Sequence, residues 1–77
     1  NPFNPSTKIE FSLPEASLVR LEVFNTLGQR VQTLKNEKMP AGKHGVTFEA
    51  FDLTTGVYLY RLTAGEFSQI NRMLLIK

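Results

Sequence analysis

The chain has no cysteine and no tryptophan, and it carries one histidine, His44, and one aspartate, Asp52. Without thiols no disulfide can brace the fold, and the compartment stays open, because a cysteine-free chain fits any redox environment. A structural zinc site takes about four Cys or His ligands, which one histidine cannot supply. Calcium needs clustered carboxylates and carbonyls, and one Asp with dispersed Glu builds no such loop. A Ser-His-Asp arrangement would require the single histidine and the single aspartate to meet at one nucleophile. No apolar run approaches the roughly 20 residues of a membrane helix, so no stable membrane insertion is expected. Charge of one sign is also scarce. Nine Lys and Arg face seven Asp and Glu, for a net charge of +2. That balance, with basic residues scattered along the sequence, argues against nucleic acid as a partner.

What is present is 77 residues, room for one small domain. A chain of this size buries only about 60–65% of the surface its unfolded state exposes. At roughly 0.05–0.15 kcal/mol per residue its stability should be about 4–11 kcal/mol. It opens on Asn1-Pro2, with no initiator Met, basic n-region or apolar h-region. We therefore expect a piece of a longer precursor, with any signal peptide lying upstream.

Residues 1–6 hold two of the four prolines. Each proline fixes its own φ and extends the residue before it, so this segment reads as a stiff leader. From residue 7 to 77 the pattern has period two. Ile9, Phe11 and Leu13 point one way and Lys8, Glu10 and Ser12 the other, giving a half-buried strand stopped by Pro14. Val19, Leu21 and Val23 alternate with Arg20 and Glu22 in a second strand. Asn25-Thr26-Leu27-Gly28 is a tight turn, with Gly28 available for positive φ, and Arg30 to Leu34 returns as a third strand. Asn36 to Gly42 reads as a polar loop closing on Pro40-Ala41-Gly42. Gly45 to Glu49 is a fourth strand with Val46 and Phe48 inward. Asp52 to Gly56 turns the chain into a fifth strand, Val57 to Ala64. Gly65-Glu66 then leads to a sixth, Phe67 to Lys77. Strands rich in Val, Phe, Tyr and Leu, punctuated at roughly 8–12-residue spacing, predict an all-β fold. The expectation is a small Ig-like or fibronectin III-like antiparallel β-sandwich of about six to seven strands.

Two segments break the alternation. In Val57 to Leu62 and in Ile70 to Ile76 both parities are largely apolar. A central strand, or one covered by a parent protein, would read this way. So would a second face kept apolar for a partner. Tyr58 and Tyr60 share one strand face, as a sugar-stacking platform requires, but two core tyrosines with their hydroxyls at the rim fit the same spacing, and we favour these. The glycines at 28, 42, 45, 56 and 65 stand at or near turns and form no phosphate-cradling motif. His44 reads as an ordinary strand-start residue. No catalytic residue, metal ligand or cofactor is assigned, and a paired-carboxylate glycosidase is disfavoured because a small sandwich lacks the groove.

Asn1-Pro2-Phe3-Asn4-Pro5-Ser6-Thr7, Val19 to Asn25 followed by Leu27-Gly28-Gln29-Arg30-Val31, Pro40-Ala41-Gly42, Asp52-Leu53 with Gly56-Val57-Tyr58, and the closing Met73-Leu74-Leu75-Ile76-Lys77 occur in order. Together they resemble the C-terminal sorting domain of type IX secretion, over essentially the whole chain. A related Ig-like domain of the flagellar hook-capping protein shares part of the pattern. The resemblance implies a Gram-negative bacterium of the Bacteroidetes kind and a non-catalytic label on a larger cargo protein. It implies passage through the periplasm to the cell surface or medium. The partners it implies are the outer-membrane translocon and a sortase-like protease that removes the label. A monomer is expected. Within that reading the translocon would recognise Gly56, Tyr58, Tyr60, Arg72, Leu74, Ile76 and Lys77. The alternative is a passive Ig-like spacer or a carbohydrate-binding module of a secreted hydrolase.

Overall fold

The structure, a computed structural model, describes residues 6–50 and 52–76. Of the leader expected at residues 1–6, residues 1–5 lie outside the described residues, as does Lys77, while Ser6 belongs to the first strand. Six strands follow in chain order: β1 (Ser6–Leu13), β2 (Ser17–Phe24), β3 (Arg30–Met39), β4 (Gly42–Glu49), β5 (Gly56–Ala64) and β6 (Phe67–Leu75). They form two antiparallel sheets, β1-β4 and β3-β2-β5-β6. The fold is all-β and sandwich-like, as the period-two pattern predicts.

The alternation sets the core. Val19, Leu21 and Val23 on β2 are fully buried, and Tyr58, Leu62 and Ala64 on β5 lie on the same face. Ile9 and Leu13 of β1 and Val46 and Phe48 of β4 join them in one buried cluster. Because β2 and β5 are the two central strands, their inward residues are the best covered. The expected core residues Leu21, Val23, Phe48 and Leu62 are buried, while Phe11, Tyr60 and Met73 are half-buried and pack on its margin.

Local chemistry fixes the hairpins. Asn25 accepts at Oδ1 from the backbone N–H of Leu27 (2.9 Å) and Gln29 (3.0 Å), and Gly28 N–H donates to the Asn25 carbonyl at 3.0 Å. Gly28 has φ 84°, the left-handed residue that follows such a turn in a bulged hairpin. The β5–β6 connection is a two-residue turn, since Ala64 pairs with Phe67. Gly65 has φ 60° and Glu66 does not have positive φ, the pattern of a type II′ turn. Gly65→Ala meets no neighbouring atom, so its cost comes from the backbone alone. A left-handed Cβ costs about 1–2 kcal/mol, which a denaturant melt of that variant should reproduce.

One expected loop is strand. β3 runs on through Asn36, Glu37 and Lys38 to Met39, because these residues pair with Arg20, Val19, Leu18 and Ser17 of β2. Their polarity reflects the open edge of the sheet rather than a turn, as charged residues commonly guard edge strands. A register shift between Leu21 and Glu22 absorbs the extra residue. At the other end, β6 stops at Leu75, so Ile76 lies beyond it.

Candidate recognition face

The outward parity of the four-stranded sheet forms a continuous surface. Cross-strand partners share a face, so Phe24, Leu59 and Arg72 stand in one row, Glu22, Arg61 and Ile70 in the next, and Val57 beside Leu74. Glu22 is its anchor. At 3% exposure it is the buried charged residue of the described chain. Arg30 Nη1 donates to Glu22 Oε2 at 3.1 Å, and Arg61 Nη2 donates to Oε1 at 3.1 Å. The Arg61 guanidinium also lies over the Phe24 ring, 5.0 Å from its centroid. Burial alone pushes the Glu22 carboxyl up. The hydrogen bonds from Arg61 and Arg30, with the charges of Arg61 and Arg20, outweigh it and leave the group below its ordinary value of 4.5. The contribution is therefore present above about pH 4.5 and is lost as pH falls through the folded value.

Folding also gathers charge. Arg20, Arg30, Lys38, Arg61 and Arg72 all take this face by parity and pairing, with Glu22 as its one carboxylate. The other six acids lie elsewhere in the sequence. Five of the nine basic residues, scattered along the chain, thus gather on one face. The net +2 is a strongly cationic sheet face set against an acidic remainder.

The strand β6 at the end of the larger sheet carries apolar residues on its solvent side. Its outward residues Ile70 and Leu74 are 61% and 67% exposed, and Ile76 beyond the strand is exposed as well. Its core-side residues include Gln69 and Asn71. Its outward aliphatic residues thus face solvent, while on the other parity Leu75 is buried, Asn71 and Met73 are half-buried and Gln69 is exposed. On β5, Val57 is exposed and Leu59 half-buried beside them.

The expected recognition residues fall on two sides. Arg72, Leu74 and Ile76 are exposed, with Arg72 and Leu74 on the outward face of β6. Gly56, Tyr58 and Tyr60 belong to the inner side of β5, opposite Leu75, Met73 and Asn71. The Tyr58 ring is buried and its hydroxyl donates to the Thr54 carbonyl at 2.8 Å. The two tyrosines therefore form no exposed stacking platform. Lys77 lies outside the described residues. The sequence reading did not single out Val57, Leu59, Ile70, Phe24 or the Glu22 cluster. The doubly apolar stretches carried the signal for β5 and β6. Nothing in the local sequence marked Glu22, whose partner Arg61 is 39 residues away.

Catalytic chemistry finds no assembly here. His44 Nε2 lies 2.7 Å from the Pro40 carbonyl, with its ring tilted against Phe11. His44 and Asp52 line separate clefts. Among the described residues no three of His, Cys, Asp and Glu gather as a metal site.

The chain has no match among curated proteins or solved structures. Residues 1–77, its whole length, match the family described as the secretion system C-terminal sorting domain. That match, an all-β chain with an aliphatic edge strand, and the ordered sequence motifs agree: the chain belongs to the C-terminal sorting domain family of type IX secretion.

Proposed function

We propose that this domain is a non-catalytic address label on a larger exported protein, and that the outer-membrane translocon reads it at the edge and outward face of β6. In this reading the cargo crosses the periplasm and reaches the cell surface or medium, where a sortase-like protease removes the label. The exposed apolar side of β6 carries the proposal: Ile70 and Leu74 face solvent on the strand at the end of the larger sheet. Among the described residues no strand pairs with the outer side of β6, and such an edge is a template for strand addition. The buried Tyr58 removes the feature that favoured a sugar-binding module.

The test is export of a reporter carrying a Sec signal and this domain at its C-terminus, in a type IX-competent cell. Leu74→Ser and Ile70→Ser should each keep a cooperative melt, because substitutions of exposed residues usually stay within about 0.5 kcal/mol. Each should leave the reporter in the periplasm. Normal export of both folded variants would place the signal elsewhere, first on the inner side of β5 at Gly56, Tyr58 and Tyr60.

A further inference from the structure

Arg72 sits between Ile70 and Leu74 on the outward face of the free edge strand, across from Leu59. Arg30 and Arg61 are already occupied by Glu22. Among the described residues no carboxylate pairs with Arg72, and its neighbours across and along the strands, Leu59, Ile70 and Leu74, are apolar. We infer that the occupant of this face is a partner β-strand added along β6, carrying an Asp or Glu beside Arg72 with apolar residues two positions to either side, against Ile70 and Leu74. The inference rests on the proposed reading of β6 and names its partner's chemistry.

Three observations select that occupant. A residue directly across an antiparallel ladder places its Cβ about 4.5–5.5 Å away, and opposite charges at that distance are favourable. The period of two makes the i±2 positions of the incoming strand the neighbours of Ile70 and Leu74, so apolar–acidic–apolar alternation matches the aliphatic–cationic–aliphatic sequence of β6. Alternate residues of β6 also direct backbone N–H and C=O groups away from β5, and a strand satisfies these groups where a lipid surface does not. A membrane would meet the charge and the aliphatic groups but leave that row unpaired.

The experiment uses the reporter fusion in the same cells. Arg72→Glu places like charges together and should lower the exported fraction about tenfold while the purified domain keeps its melt. Arg72→Lys keeps the charge and should export. A photoreactive phenylalanine analogue at Ser68, at the end of the same face, should crosslink in the cell to a protein segment of the stated pattern. Reversing that segment's acid to Arg should block export of the native domain and restore export of Arg72→Glu. Normal export of folded Arg72→Glu, a crosslink to lipid or to a segment without a carboxylate, or no recovery in the double reversal would each overturn the inference. If Leu74→Ser blocks export while Arg72→Glu does not, β6 is read through its aliphatic groups, and only this inference fails. If all three variants export, the proposed reading of β6 fails with it.

Discussion

Leu21→Ala should cost about 2–5 kcal/mol, a large share of the stability of so small a domain. Leu21 is fully buried at the middle of β2, between β3 and β5 in the larger sheet, and it belongs to the cluster shared with the smaller sheet. With β3 and β5 on either side and a second sheet above, the surroundings have little freedom to collapse into the space left. The penalty falls on a domain whose whole stability is only about 4–11 kcal/mol. Neither a disulfide nor a larger core can offset it. Denaturant melts of the two proteins measure the difference. A change below about 0.5 kcal/mol would mean that Leu21 is not in the core, and the inward parity of β2 would be wrong.

The second large effect comes from stranding Glu22. Replacing both Arg30 and Arg61 by Met keeps aliphatic cover over the carboxylate but removes its two donors. Breaking a buried ion pair from one side costs about 3–5 kcal/mol, because the remaining charge stays desolvated. Its pH dependence should reverse sign. In the native protein Glu22 is held below its ordinary value, so acid removes stability. In the double variant burial is opposed only by the charge of Arg20, the weakest of the lowering influences, and raises the carboxyl, so the variant should regain stability as pH falls and the group is neutralised. Adding Glu22→Met should recover most of the loss at neutral pH. If the double variant melts like the native protein, or if acid destabilises it further, Glu22 is solvated and the anchor has been misassigned.

The sequence revealed those elements that local rules can specify. Ile9 with Leu13, and Val19 with Leu21 and Val23, alternate cleanly, and their burial follows. Asn25 and Gly28 supply the acceptor and the left-handed backbone their turn needs, and both behave as expected. What stayed hidden depends on pairing between distant residues. Asn36 to Lys38 reads as loop by composition, yet β2 holds it in register as a sheet edge. Glu22 reads as a solvated outward charge until β5 brings Arg61 to it. The cationic face is similarly invisible in a list of residues, because it needs the parity of four strands and their order. For β6 the sequence showed two apolar parities, but only its place at the edge, beside a covered β5, shows that one of them is exposed.

The four-stranded sheet consists of two short-range hairpins, β2–β3 and β5–β6, meeting along the single β2–β5 ladder. Isolated hairpins form in about 1–10 μs but are marginal in water. The ladder between them closes a long loop, and folds dominated by such pairings reach the native state in milliseconds to seconds. Glu22 bonds Arg30 within the first hairpin and Arg61 in the second, so it ties the two together across the ladder. If the outward face of β6 is read only in the finished sheet, as proposed, its recognition would follow the closing of β2 on β5.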